Sequence, residues 1–185
     1  MITALIFIAL SALPVQPAEQ PIPKFNRAEW GRWLPVERSP AGCTWDTRHL
    51  VLRRDAAVAI AKEGRSGACL VVELTYVEPY TGETLRVPSR LVDIDHLVPL
   101  GEAHRSGGWA WPADRRMAYY NDLSGLVAAS PRSNRSKSDR DPAEWMPTVD
   151  RCGYARAWIA IKARWQLSMD AAEIMALGKA LGECR

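Results

Sequence analysis

The stretch Asp93-Ile94-Asp95-His96-Leu97-Val98-Pro99-Leu100 places two carboxylates and an imidazole within four residues. It follows the apolar pair Leu91-Val92, and its proline cannot continue a hydrogen-bonded ladder. The pattern therefore predicts a short strand that ends and bends at this point. Because neighbouring residues of a strand point to opposite faces, Asp95 and His96 can share one site only at such a bend.

A second segment supplies complementary chemistry. The apolar run 126–129 predicts a strand antiparallel to the first, and residues 130–137 predict a helix that begins directly after it. His96 suits a general base, because the ordinary pKa of histidine lies close to neutral pH. Asp95 and Asn134 offer hard oxygen ligands for one divalent cation, with Mg²⁺ as the expected ion and Mn²⁺ or another divalent ion as an alternative.

Basic residues surround Asn134 and indicate a polyanionic partner. The predicted phosphate-binding residues are Arg132, Arg135, Lys137 and Arg140. Three further residues are predicted to lie near the site without binding the cation: Asp93, Glu102 and Asn121. A basic helix face that is merely solvated, and an Asn134 that merely caps its helix, are the alternative interpretations.

The two segments together resemble the HNH endonucleases, which are also called ββα-metal or His-Me finger nucleases. More narrowly, they resemble small exported HNH proteins related to the C-terminal domain of GmrSD-type restriction enzymes. The resemblance covers about residues 68–165. It implies an α+β fold, with a small antiparallel hairpin and a helix gripping one cation and additional helices flanking this core. It also implies hydrolysis of phosphodiester bonds, with nucleic acid, most simply DNA, as the partner.

One position departs from the family pattern. The family usually has Asn directly before the Leu-Val of the second strand, where it helps to hold the general base, and here that position is Gly125. Two hypotheses follow. The protein is a metal-dependent endonuclease in which a backbone carbonyl orients His96, or it is a catalytically impaired HNH-fold module that binds nucleic acid or another partner. A structural protein in which the motif arises by chance is a third, weaker interpretation.

The remaining chain is interpreted as one domain. Residues 1–18 carry no charge and predict a signal peptide, and hence an exported protein without a stable membrane anchor. Residues 19–42 are rich in proline and predict an irregular arm outside the core, and residues 43–185 form the predicted nuclease domain. The net charge of +3 permits a polyanionic partner without requiring one. Oligomeric state is left open.

The four cysteines have no C-x-x-C spacing and do not predict a zinc knuckle. An even number in an exported chain predicts two disulfides, although four buried thiols are the alternative if the chain is not exported. Three pairings are open, and the one with the shortest loops joins Cys43 to Cys69 and Cys152 to Cys184.

Secondary structure is predicted from periodicity and from turn residues. Helices are expected over residues 47–62, 112–122, 151–166 and 168–181, with a strand over Cys69–Val77 and a second extended run after it. Asn26 is expected to cap a short helical turn, and residues 101–111 are expected to form a loop.

Overall fold

The computed structural model describes residues 21–184, in which antiparallel strands and helices form an α+β arrangement. The strands are β1 (Pro35–Arg38), β2 (Thr44–Asp46), β3 (Ala56–Glu63), β4 (Cys69–Val77), β5 (Thr84–Pro88), β6 (Asp93–His96) and β7 (Leu126–Ala129). The helices are α1 (Thr47–Asp55), α2 (Leu100–Arg105), α3 (Ala113–Tyr120), α4 (Pro131–Lys137), α5 (Arg151–Trp165) and α6 (Ala171–Gly182).

The prediction of one helix over residues 47–62 is wrong in its second half. Helix α1 begins where the Asp46 side chain accepts the amide hydrogen of His49, but it ends at Asp55. The chain then continues as β3, which pairs antiparallel with β4 from Ala56 to Glu63. Alanine and lysine favour a helix locally, but a full strand ladder outweighs this small preference. Strand β4 has the predicted bounds and forms the centre of the β3-β4-β5 sheet.

A β–β–α unit contains both parts of the motif. Strands β6 and β7 pair antiparallel, with Asp95 opposite Val127 and His96 opposite Leu126. Helix α4 follows β7 directly, and the Ser130 side chain caps it by accepting the amide hydrogen of Ser133. The order and pairing of these elements confirm the sequence prediction.

The two strands are not joined by a tight turn, because residues 97–125 with α2 and α3 intervene. The prediction of a loop over residues 101–111 is therefore wrong at its start, where α2 buries Leu100 and Ala103. Gly101 allows the close approach of α2 to the loop after α4, since an added Cβ would lie 3.0 Å from the Cβ of Asp139.

One side chain of the proline-rich arm belongs to the core, which corrects the prediction of an arm outside it at that point, while residues 21–29 and 35–38 are exposed. Trp30 is 1% exposed and packs against Trp111 and Tyr119. Asn26 caps the short turn Arg27–Glu29, as predicted. Strand β1 then pairs with β2. Proline restricts the regular structure of the arm, but it does not prevent Trp30 from being buried.

Both predicted disulfides are present. Cys43 is bonded to Cys69 beside β4, and Cys152 in α5 is bonded to Cys184 after α6. Two disulfides fit an oxidising, extracellular environment. In the described part of the chain, none of the helices has the length and apolarity that crossing a membrane requires. The predicted signal peptide, residues 1–18, lies outside the described residues.

Candidate nuclease site

The carboxylate of Asp95 is held by two side chains from other elements. The hydroxyl of Tyr80 donates to Oδ2 over 2.5 Å, and the ammonium of Lys137 donates to Oδ1 over 3.0 Å. Tyr80 is fixed in turn by Glu78, whose buried carboxylate accepts the amide hydrogens of Tyr80 and Ser130. Glu78 thereby ties the turn after β4 to the beginning of α4, and it places Tyr80 under β6.

Lys137 does not face the solvent, which corrects its prediction as a phosphate-binding residue. Its side chain is 0% exposed, and its ammonium also donates to the backbone oxygen of His96. Burial lowers the pKa of Lys137 and raises the pKa of Asp95, because desolvation penalises both charges, while the ion pair between them opposes both shifts. Lys137 therefore orients Asp95 and joins α4 to β6.

His96 is held by a backbone carbonyl. Its Nε2 lies 3.0 Å from the carbonyl oxygen of Tyr120, and because a carbonyl only accepts, Nε2 carries the proton. Nδ1 thus keeps its lone pair. The rings of Trp33 and Tyr119 lie nearly parallel to the imidazole, each with its centroid 6.0 Å away. Burial lowers the pKa of His96 to about 3, although the bond to Tyr120 raises it, so the imidazole is neutral at physiological pH.

Gly125 does not leave His96 without support. The backbone oxygen of Gly125 accepts the amide hydrogen of Leu97, which fixes the chain just beyond the histidine. A Cβ added at Gly125 would meet only the Ile161 side chain, at 3.8 Å, so the position has room for a larger residue. The carbonyl of Tyr120 orients the imidazole here, as the first hypothesis from the sequence anticipated.

Asn134 lies on the same side of β6 as the carboxylates. Its Nδ2 donates to Asp93 Oδ2 over 3.0 Å, while its Oδ1 makes no hydrogen bond within residues 21–184. Asp95, His96, Asn134 and Arg135 all line one cleft of about 440 Å³. The structure thus brings both parts of the motif to one cleft.

The oxygen atoms at this cleft are those that could hold a metal. Asp95 Oδ1 accepts a hydrogen bond from Lys137 and retains a further lone pair, and Asn134 Oδ1 is unengaged. Within residues 21–184, no group of three or more His, Cys, Asp or Glu side chains is arranged to hold a metal. Two protein oxygens of this kind would leave most ligand positions of a bound cation to water, an arrangement that is usual for Mg²⁺.

Glu102 takes part in a separate buried cluster, which corrects its prediction as a residue near the site. Its carboxylate accepts from the ammonium of Lys162 over 2.7 Å and from the hydroxyl of Ser106 over 2.6 Å. Lys162 is 0% exposed and also contacts Glu173. This cluster joins α2 to α5 and α6, and its role is structural.

Asn121, predicted to lie near the site without binding the cation, holds the arm through its side chain. Its Oδ1 accepts from the amide of Leu34 and from the hydroxyl of Thr47, and its Nδ2 donates to the backbone oxygen of Arg32. Asn121 still affects the site indirectly, because it follows Tyr120, whose carbonyl binds His96.

The basic residues of the motif are divided by the fold. Arg135 is exposed and lines the cleft, whereas Arg132 is exposed but does not line it. Arg140 lies at a neighbouring cleft of about 440 Å³ that Asp141, Glu144 and other carboxylates line. Of the four predicted phosphate contacts, only Arg135 is therefore placed beside Asn134 in the same cleft.

Sequence reasoning missed Tyr80, Trp33, Tyr120 and Arg27. Tyr80 and Trp33 contact Asp95 and His96, Tyr120 binds His96 through its backbone, and Arg27 lines the cleft. None of them belongs to a local motif. Tyr80 lies at a turn, and Trp33 and Arg27 lie in an irregular arm. Nothing in the sequence around them points to a site elsewhere in the chain.

Comparison with known proteins gives the family. Residues 46–180 match the model of the C-terminal domain of GmrSD restriction endonucleases. A protein of Arthroderma benhamiae, described as an uncharacterized secreted protein, is 35% identical over 179 residues, covering 95% of this chain and 82% of that protein. No solved structure matches the chain significantly. The chain belongs to the family of the C-terminal domain of GmrSD restriction endonucleases.

Proposed function

We propose that the protein is an exported, divalent-metal-dependent endonuclease that hydrolyses phosphodiester bonds in DNA. The β–β–α unit then acts as a ββα-metal core. The observation that carries the proposal is the cleft in which Asp95, His96, Asn134 and Arg135 meet. The family is associated with restriction endonucleases, which supports nuclease chemistry. The secreted relative and the two disulfides support export.

His96 acts as the general base in this proposal. The hydrogen bond from Nε2 to the Tyr120 carbonyl leaves Nδ1 as the proton acceptor. Nδ1 takes a proton from a water molecule, whose oxygen attacks phosphorus as the bond from phosphorus to the leaving oxygen breaks. The rings of Trp33 and Tyr119 keep the imidazole in place during this transfer.

Asp95 and Asn134 are the proposed ligands of the cation, which is Mg²⁺ or a similar ion. When bound, the cation supplies positive charge where negative charge develops on the phosphate. Tyr80 and Lys137 hold the Asp95 carboxylate in one orientation. The bond from Asn134 Nδ2 to Asp93 turns the amide so that Oδ1 is available. Arg135 binds a neighbouring phosphate.

A second candidate is the impaired binding module. One observation favours it: burial lowers the pKa of His96 to about 3, and a general base is most effective when its pKa lies near the working pH. The tight pairing of Asp95 with Lys137 also competes with a cation for the same carboxylate. This candidate predicts salt-sensitive DNA binding without cleavage.

The deciding experiment is a plasmid cleavage assay with Mg²⁺, Mn²⁺ and an EDTA control. We expect the wild type to cleave in a metal-dependent manner and His96→Ala to be slower by about 10²–10⁴-fold, the usual contribution of a general base. Asn134→Ala should require a higher metal concentration. Cleavage that persists in His96→Ala would contradict the assignment of the base, and binding without cleavage under every metal would favour the binding module.

A further inference from the structure

The N-terminal arm places a basic side chain in the nuclease cleft. Phe25 and Arg27 line it together with His96, Asn134 and Arg135. Arg27 is exposed, and its guanidinium forms no hydrogen bond or ion pair within residues 21–184. It also precedes residue 46, where the match to the family model begins. Arg27 thus brings to the cleft a charge that the matched domain does not contain.

The backbone on both sides of Arg27 is anchored. On one side, His104 Nε2 donates to the backbone oxygen of Pro23 over 2.7 Å, and the ring of Phe25 meets His104 edge-on at 5.5 Å. On the other side, Trp30 is buried in the core. These anchors fix the position from which the Arg27 side chain extends, so that little backbone entropy is lost when a ligand binds.

The turn that carries Arg27 is itself tied to the domain. Asn26 caps it by accepting the amide hydrogen of Ala28, and Glu29 forms an ion pair with Arg116 of α3 over 3.0 Å. The same helix ends at Tyr120, whose carbonyl holds His96. The arm and the general base are therefore positioned by one element.

The charges of the cleft leave it positive overall. Asp95 is paired with Lys137, and Asp139, which also lines the cleft, is paired with Arg105 over 2.6 Å. With both carboxylates neutralised, Arg27 and Arg135 set the charge that an entering ligand meets. Two planar guanidinium groups beside a hydrolytic centre suit phosphate groups, which they can bind through two parallel hydrogen bonds.

We propose that Arg27 binds a backbone phosphate of the nucleic acid in the cleft, so that the N-terminal arm forms part of the substrate site. The proposal rests on the proposed function, because the ligand is its substrate. Arg135 extends from α4 and Arg27 from the arm, so the two guanidinium groups meet the substrate from different elements. A phosphate contact of this kind adds affinity equally for all sequences and carries no information about bases.

The test is the binding of a fluorescein-labelled DNA duplex, measured by anisotropy in EDTA over a range of salt concentrations. Arg27→Ala should weaken binding roughly fivefold to tenfold. The slope of log K against log salt, which is negative, should become shallower by about 0.9, as the loss of one phosphate contact requires. Arg27→Lys keeps the charge, and should keep the slope while losing part of the affinity. Arg27→Gln is a second neutral variant and should match Arg27→Ala.

The matched control is Arg32→Ala, because Arg32 is exposed on the same arm but does not line the cleft. It should change neither the affinity nor the slope. Equal effects of Arg27→Ala and Arg32→Ala, or an unchanged slope in Arg27→Ala, would overturn the proposal. Since EDTA removes turnover from the measurement, an Arg27-dependent slope without cleavage in the plasmid assay would reject the nuclease and keep the phosphate contact. If Arg27→Ala changes neither cleavage nor binding, the phosphate contact is rejected and the nuclease proposal stands.

Discussion

The ammonium of Lys137 lies 2.9 Å from the carboxylate of Asp95, and the two side chains are only 0% and 6% exposed. This pair joins the two parts of the motif, because Lys137 ends α4 and Asp95 lies in β6. A pair so deeply buried contributes less to stability than its short distance suggests, since both charges lose their hydration. Removing only one of the two charges is costly, because it leaves the other charge buried without a partner.

Lys137→Met should destabilise the fold strongly. The substitution leaves Asp95 buried without its cation, and the free energy of unfolding should fall by about 3–5 kcal/mol, the usual cost of breaking a buried pair. Urea unfolding measures the change. Arg135→Met on the same helix is the control, and being exposed it should change stability by less than about 0.5 kcal/mol.

The double variant Asp95→Asn with Lys137→Met makes the explanation specific. Removal of both charges leaves no unpaired ion, so that this variant should be more stable than Lys137→Met alone. A double variant that is less stable than either single variant would show that the pair is not the cause.

Tyr80→Phe should lower both stability and cleavage. It removes the 2.5 Å hydrogen bond to Asp95, and a hydrogen bond to a charged group contributes about 1.5–3 kcal/mol. Tyr154→Phe is the matched control, because the buried hydroxyl of Tyr154 has no partner in the described structure. That variant should be neutral or slightly stabilising in thermal unfolding. Equal losses in both variants would argue against the Asp95 bond.

The contribution of Glu173 to stability should fall as the pH rises from about 4.5 to 7, whereas the lowered pKa of His96 makes stability rise with pH up to about 6.5. Burial raises the pKa of Glu173 from its ordinary 4.5 to about 7, even though Lys162 opposes the shift. In this window the folded protein holds a proton that the unfolded chain releases, so unfolding becomes easier at higher pH. Across this window, the titration of Glu173 lowers the unfolding free energy by on the order of 2–3 kcal/mol, and above pH 7 it lowers it no further.

Glu173→Gln isolates this contribution in urea unfolding at pH 5 and pH 7.5. Because glutamine does not titrate, the unfolding free energy at pH 7.5 minus that at pH 5 should be more positive in Glu173→Gln than in the wild type, by about 2–3 kcal/mol. Glu183→Gln changes an exposed carboxylate near the same helix and should leave the difference as it is. An unchanged difference in Glu173→Gln would contradict the raised pKa.

Replacement of the second disulfide should cost stability without changing the site. The bond joins Cys152 to Cys184 across 32 residues, and its loss through paired serine substitutions should lower the free energy of unfolding by about 2–4 kcal/mol. The pair Cys43→Ser and Cys69→Ser, with a separation of 26 residues, should give a loss of similar size. A loss below about 1 kcal/mol, seen in denaturant unfolding, would contradict this expectation.

The sequence alone determined the elements whose signals are local. The apolar run before Asp95 and the proline after it predicted β6, the apolar run 126–129 predicted β7, and the segment 130–137 predicted α4, because such signals depend on adjacent residues. Loop length also selected the correct disulfide pairing. The association of Asp95, His96 and Asn134 followed from the antiparallel pairing that those short strands predicted.

The tertiary structure decided everything that depends on a distant partner. Residues 56–63 became a strand because β4 offers a ladder of hydrogen bonds, which no local preference reveals. Lys137 turned inward because Asp95 and a carbonyl bind its ammonium, although it resembles a solvated lysine in the sequence. The arm lines the cleft because Trp30, which is buried in the core, holds it there. Burial and pairing are properties of the packed chain, and that is why these three features appear only in the fold.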